Sequence, residues 1–206
     1  MSKPQSAGQS PRMGKSAPPR RLKNRERRSR EHLTAAEVDA LINAARKSGR
    51  HGHRDATLIL IGYRHGLRVG ELVALRWDQV DWGQGLLQVN RLKHGNPSVH
   101  PLRGPELRAL RKLQRAYPAT PYVFVSERQA PLTTASVRKI VARAGDVAGI
   151  GFPVHPHMLR HATGFYLANA GQDTRAIQHY LGHRNIEHTV RYTELTADRF
   201  KDFWQD

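Results

Sequence analysis

Thr34 and Glu37 mark the place where this chain of 206 residues first becomes able to fold. Their spacing predicts a capping box, in which each side chain satisfies a backbone N–H that the first helical turn leaves open. Val38, Leu41, Ile42 and Ala45 then recur at helical spacing. The thirty residues before them, MSKPQSAGQSPRMGKSAPPRRLKNRERRSR, are rich in Ser, Pro, Gly and Arg and hold almost nothing to bury. Such a segment is expected to stay disordered until bound. Its stretch GQSPRMGKS departs from a phosphate-binding loop: Gln9 stands where the first Gly should be, and no strand precedes it. The sequence thus divides into a basic tail, residues 1–30, and residues 31–206, enough for one good-sized domain.

Within that domain the first helix ends at Gly49 and Arg50. A second is expected from about Asp55 through Leu58, Ile61 and Gly62 to Gly66, and a shorter one over Val69 to Leu75. Strand-like alternation appears in LLQV (86–89) and SVHPL (98–102), joined by NRLKHGNP with the Gly, Asn and Pro of a turn. Pro105 opens another helix, and YVFV (122–125) reads as a short buried strand. From Thr133 the pattern is helical nearly to the end, with breaks at 149–156, near Gly171 and after Gly182. The expected class is α+β, mostly helical, with a small antiparallel sheet.

Charge narrows the partner. Lys and Arg number 34 against 17 Asp and Glu, a net +17. The tail holds ten basic residues and one acid, so it carries +9 of that total on its own. A cationic body with a more cationic tail points to a polyanion, nucleic acid before any other. An anionic membrane surface would call for an amphipathic face that the tail lacks, and no apolar run approaches a membrane span or a signal peptide. A protein of the cell interior is expected. With no cysteine in the chain, disulfides, zinc ribbons and thiol nucleophiles are excluded.

Several residues have the types and settings that chemistry on a phosphodiester requires. Arg68 stands at a helix start in GLRVGEL, and Lys93 in the hairpin turn RLKHG. His157 and Arg160 share a helical face in HPHMLRH, His183 follows the break at Gly182, and Tyr192 lies nine residues beyond His183. Singly, each has a structural reading: a solvated arginine, a turn lysine, satisfied histidines, a packed phenol. The pairs His157/His161 and His179/His183 suit a metal by spacing, but neither has a carboxylate or thiol at a useful distance. Together the residues supply a metal-free attack on a phosphodiester. Guanidinium forks match two charged phosphate oxygens, and a lysine or histidine can protonate the departing 5′ oxygen. Cations favour the phenolate, and a neutral imidazole can accept its proton. No cofactor is needed.

The order and spacing of GLRVGEL, a lysine in a β-turn, HMLRH, LGH and a tyrosine nine residues on resemble the tyrosine recombinase (phage integrase) family, over residues 34–206. RLKHGNPSVHPL, HPHMLRHATGF and YLGHRNIEHTVRYT further resemble the short recombinases that invert the promoter segment controlling fimbrial expression. The resemblance implies that Arg68 and Arg160 clamp the scissile phosphate and that Lys93 is the general acid. It implies that His157 serves in proton transfer, His183 hydrogen-bonds the phosphate and Tyr192 is the nucleophile. It implies also a 3′-phosphotyrosyl link, a homo-tetramer on two double-stranded DNA sites, accessory DNA-bending proteins, and a cytoplasmic location at the bacterial nucleoid. Most of the family carries a separate DNA-binding domain where this chain has only its basic tail; the short fimbrial-type enzymes share that economy.

Other readings remain open at this point. TTASVRKIVARAG (133–145), with Thr134 as cap and Arg138, Lys139 and Arg143 toward DNA, would suit a non-catalytic regulator. A type IB topoisomerase-like relaxing enzyme would share the chemistry, and a basic ribosomal-type protein would explain the charge alone. In the last segment, LTADRFKDFWQD, Phe200, Phe203 and Trp204 share one face of an expected helix that either folds back or docks on a second protomer.

Overall fold

The structure, a computed structural model, describes residues 31–92 and 95–194. The basic tail, Lys93 and the aromatic segment 195–206 lie outside the described residues.

The capping box forms as its spacing predicts: Glu37 N–H donates to Thr34 Oγ1 at 3.3 Å and Thr34 N–H to Glu37 Oε2 at 2.8 Å. It starts α1 (Ala35–Lys47), whose buried Val38, Leu41, Ile42 and Ala45 pack on α2 (Gly52–Arg64) and on α5 (Thr134–Val147). Helix α2 begins three residues before the expected Asp55. Only Gly52 permits that early start, because a Cβ there would come within 2.2 Å of the Arg46 carbonyl oxygen. Short α3 (Val69–Val73) follows, then a 3₁₀ turn (Trp77–Gln79) and the three-stranded antiparallel sheet β1 (Val80–Asp81), β2 (Leu86–Val89) and β3 (Ser98–Pro101). Leu86 faces Pro101 and Val89 faces Ser98 across the hairpin. Strand β1 has two residues, too few to show a period.

Residues 122–125 are not a strand of the sheet. They make only isolated bridges, Arg76 to Tyr122 and Val125 to Pro131. Val123, Phe124 and Val125 are fully buried, as an apolar run should be, but single hydrogen bonds to Leu75 and Leu132 replace a ladder. Pro131, with no N–H, cannot extend the pairing. Helices α4 (Gly104–Ala116, with Pro105 in its first turn), α5, α6 (Pro156–Asn169), α7 (Thr174–Leu181) and α8 (Glu187–Glu194) complete the order. The cap of α5 is Thr133, not Thr134: Thr133 is extended, and its Oγ1 accepts from Ser136 N–H at 3.1 Å. Gly182, in the left-handed region at φ 65°, ends α7.

One large core joins α1 to α6 and the sheet. A small second cluster of Ala168, Ile177, Leu181 and Tyr192 fastens α8 to α6 and α7. Among the described residues no helix is long and apolar enough to cross a membrane.

Candidate active site

The first turns of α6 meet the ends of α2 and α7 and the start of α3, and this junction gathers five of the six residues singled out above. Arg160 is at its centre, 1% exposed. Its Nη1 donates to the Gly66 carbonyl at 2.5 Å and its Nη2 to the Leu181 carbonyl at 2.6 Å, so one fork ties the end of α2 to the end of α7. Burial, with the Arg68 and Arg91 charges nearby, brings its pKa down to about 9, still protonated at neutral pH. Among the described residues Arg160 makes no ion pair with a carboxylate. A buried cation held only by neutral acceptors is a costly arrangement that an incoming anion relieves.

Arg68 caps α3 and is partly open to solvent, its side chain 27% exposed. Its Nη1 donates to Glu71 Oε1 at 2.8 Å and its backbone N–H to Glu71 Oε2 at 2.9 Å. Glu71 also accepts from Leu92 N–H at 3.3 Å, at the entry to the hairpin turn, and from buried Arg91 at 2.9 Å. Burial pushes the Glu71 carboxyl up, but the Arg68 backbone donor and the Arg91 charge outweigh it and hold the pKa below the usual range. The two ends of the turn that contains Lys93 are therefore fixed: Leu92 on Glu71, and Gly95 against Arg91 and the Gly182 carbonyl, where a Cβ would approach to 2.8 and 3.0 Å.

His157 lies on the same helical face as Arg160, and burial followed by the Arg160 charge lowers its pKa. His183 is lowered to about 3, by burial first and then by Arg160 and Arg68, and its Nδ1 is hydrogen-bonded to Thr189 Oγ1 at 2.8 Å. Both imidazoles are neutral at neutral pH.

Tyr192 is 1% exposed. Its ring fills a notch in α6 cut by Gly164, where a Cβ would come within 2.5 Å of ring carbon Cε2. Phe165 and His161 meet the ring edge-on at centroid distances of 5.1 and 5.9 Å, and His183 stacks at 6.3 Å. The hydroxyl is hydrogen-bonded to His161 Nδ1 at 2.9 Å. The expectation that cations lower the phenol's pKa does not hold in this arrangement. Burial raises it, and Arg191 and Arg160, though they act in the opposite direction, do not outweigh that burial. His161 itself is brought down to about 2 by burial and then by His157, so it is a neutral partner.

Sequence reasoning passed over Glu71, Arg91, Thr189 and Gly164, and weighed His161 only as half of a metal pair. The His157 and His161 rings do meet, 4.3 Å apart, but the Nδ1 of His161 is turned to Tyr192. Among the described residues no group of three or more His, Cys, Asp or Glu side chains is placed to hold a metal ion. Glu71 had a signal, three residues after Arg68 in GLRVGEL; Arg91 and Gly164 had none.

A mostly helical domain with a small antiparallel sheet and this junction is the architecture of tyrosine recombinase catalytic domains. The structure of XerA recombinase superposes with a TM-score of 0.72 at 27% identity, covering 84% of this chain and 63% of that one. A lambda integrase dimer bound to a COC′ core site, at 24% identity and TM-score 0.63, shares the fold. The Phage integrase family model matches residues 31–199. The type 1 fimbriae regulatory proteins FimE and FimB of Escherichia coli (strain K12) are 43% identical over 182 residues and 40% over 189. These matches cover 85% and 89% of this chain, and 91% and 94% of the relatives. The chain belongs to the phage integrase family and is a site-specific tyrosine recombinase, an enzyme acting on DNA.

Proposed function

We propose that the chain cuts and rejoins double-stranded DNA through a 3′-phosphotyrosyl intermediate, with inversion of a DNA segment as the outcome, and that Tyr192 is the nucleophile. The observation that carries this reading is the convergence of Arg68, His157, Arg160, His183 and Tyr192 on one junction, where each cation perturbs its neighbours' titration.

In the proposed step the Tyr192 oxygen bonds to phosphorus and the bond from phosphorus to the 5′ oxygen breaks. Lys93 gives a proton to that leaving oxygen, and the phenol proton passes to neutral His157. Arg68 and Arg160 hold the two non-bridging oxygens as charge builds on them. Thr189, donating its hydroxyl proton to Nδ1 of His183, leaves that ring's proton on Nε2 for the phosphate. Attack requires Tyr192 to exchange its bond with His161 for the phosphate. One phosphoester replaces another, so the link stores the energy for rejoining.

In this reading residues 31–206 form the catalytic domain, and the tail, residues 1–30, is a basic arm on the duplex. Four protomers act on two sites, with DNA-bending proteins assisting. The test is to incubate the full chain with sheared DNA of its own organism, trap the denaturation-resistant adduct and sequence the attached DNA. A single recurring site, lost in Tyr192→Phe, is expected. Adducts of equal yield from Tyr192→Phe would overturn the assignment.

A further inference from the structure

Arg91 is a charge placed where burial is most costly. Its side chain has no solvent exposure. Nη1 donates to Glu71 Oε2 at 2.9 Å; Nη2 donates to the Tyr180 carbonyl and, at 3.4 Å, to the His65 carbonyl; Nε has no partner. The space it occupies is kept open by glycines. A Cβ on Gly182 would come within 2.8 Å of Arg91 Cγ and 2.9 Å of Nε, and one on Gly95 within 2.8 Å of Arg91 Cβ. Burying a guanidinium costs several kcal/mol unless something offsets it, and here two turns are shaped around it. The Arg91 charge is felt at Arg160 and at His183, so it lies close to the phosphate-binding groups.

The charges around Glu71 show what Arg91 does. Glu71 holds Arg68 by both its guanidinium and its backbone. A carboxylate at 2.8 Å orients a guanidinium but also cancels much of the field that the cation offers to an anion on its other side. With Glu71 alone, Arg68 would be well aimed and weak. Arg91, on the other oxygen of the same carboxylate, returns the missing charge from inside the protein. The group Arg68, Glu71 and Arg91 is then +1, and with Arg160 the junction presents +2, matching the dianionic transition state of a phosphodiester under attack.

We infer that Arg91 is a positioning residue of the recombination site: it offsets the charge of Glu71 and fixes its orientation, so that Arg68 meets the scissile phosphate as a full cation. This rests on the reading of Arg68 and Arg160 as the phosphate clamp.

The experiment uses the full chain and suicide duplexes built on the mapped cut site, with either a phosphodiester or a methylphosphonate at the scissile position. The methylphosphonate replaces one charged oxygen by a methyl group and so lessens the demand for cationic charge. Arg91→Met is expected to slow adduct formation on the phosphodiester by about 100-fold while cutting the methylphosphonate at the wild-type rate. Adding Glu71→Gln to Arg91→Met, which removes the uncompensated negative charge, is expected to recover about tenfold on the phosphodiester, as for a coupled pair. Equal losses on both substrates, no recovery in the double variant, or normal cutting by Arg91→Met each overturn the inference. Arg68→Ala is run alongside. If it does not favour the methylphosphonate, the clamp reading itself fails; if it does and Arg91→Met does not, only the role of Arg91 fails. Should Arg91→Met melt below the assay temperature, the double variant, which removes the buried pair as a unit, is judged alone. Phosphodiester cutting within about tenfold of the wild-type rate supports charge offset, and any deeper loss overturns it.

Discussion

The Tyr192 hydroxyl lies 2.9 Å from Nδ1 of His161, one turn along α6 from His157 and next to Arg160. The phenol proposed to attack DNA is thus held inside the protein by a neutral imidazole. Removing the hydroxyl alone leaves the ring in its notch. Tyr192→Phe is expected to bind DNA normally, to lose about 1 kcal/mol of stability with the hydrogen bond, and to form no adduct. Denaturing gels and a urea melt on the same preparation check both halves.

Arg160→Lys keeps the charge and loses the fork. One ammonium cannot reach the Gly66 and Leu181 carbonyls together as the two guanidinium nitrogens do. Cleavage is expected to fall by about 100-fold or more, with a lower melting temperature because two charge-assisted bonds are disturbed. Near-normal cleavage with intact binding would mean that Arg160 does not clamp the phosphate.

Gly164 separates two opposing effects. In an open helix, Gly→Ala stabilises by about 1 kcal/mol. Here the added methyl would lie 2.5 to 2.7 Å from three carbons of the Tyr192 ring. Overpacking of that kind costs about 1–3 kcal/mol, so the net sign is a loss, and it falls on α8. Hydrogen exchange is expected to show α8 amides opening faster in Gly164→Ala while α1 and α2 are unchanged; unaltered α8 protection would contradict the notch.

What the sequence could show was local. The capping box at Thr34, the helix opened by Pro105 and the break at Gly182 each depend on residues within a few positions of one another, so spacing reveals them. The tandem of Arg68, His157, Arg160, His183 and Tyr192 was legible because each member sits beside such a local signal. Residues whose role depends on another element were not legible. His161 meets Tyr192 across 31 positions and Arg91 meets Tyr180 across 89. The phenol's raised pKa was invisible for the same reason: counting nearby cations gives their attraction but not the burial that outweighs it. Residues 122–125 fail differently, since a buried apolar run has the same composition with or without a ladder partner.

Three histidines make the fold acid-sensitive. Burial holds His161 near 2 and His100 and His183 near 3, all below the unfolded value of about 6.5. The folded state disfavours their protonation, so the stability they contribute is complete above pH about 6.5. It falls as pH drops toward 3, because the unfolded chain binds protons that the folded one does not. Each contributes on the order of 1.4 kcal/mol per pH unit once the unfolded histidine is mostly charged. Urea midpoints are expected to be steady from pH 8 to 7 and to decline steeply from pH 6 to 5. A flat profile through that lower range would mean that these rings are hydrated and free to protonate.

Glu31, the first described residue, pairs with Arg191 at 2.7 Å, one residue before Tyr192. The tail therefore joins the domain at the edge of the site where the scissile phosphate is proposed to lie. It carries +9 on thirty residues. If about five of those charges meet phosphates, counterion release makes them contribute roughly 4 to 5 units to the slope of log K against log salt. Deleting residues 1–30 is expected to shallow the slope by that amount and to weaken binding at low salt more than at high salt. Cutting by the truncated chain is expected to persist at saturating DNA, because Arg68, His157, Arg160, His183 and Tyr192 all remain. Fluorescence titrations over a salt series measure the slope directly. An unchanged slope would place the tail off the duplex.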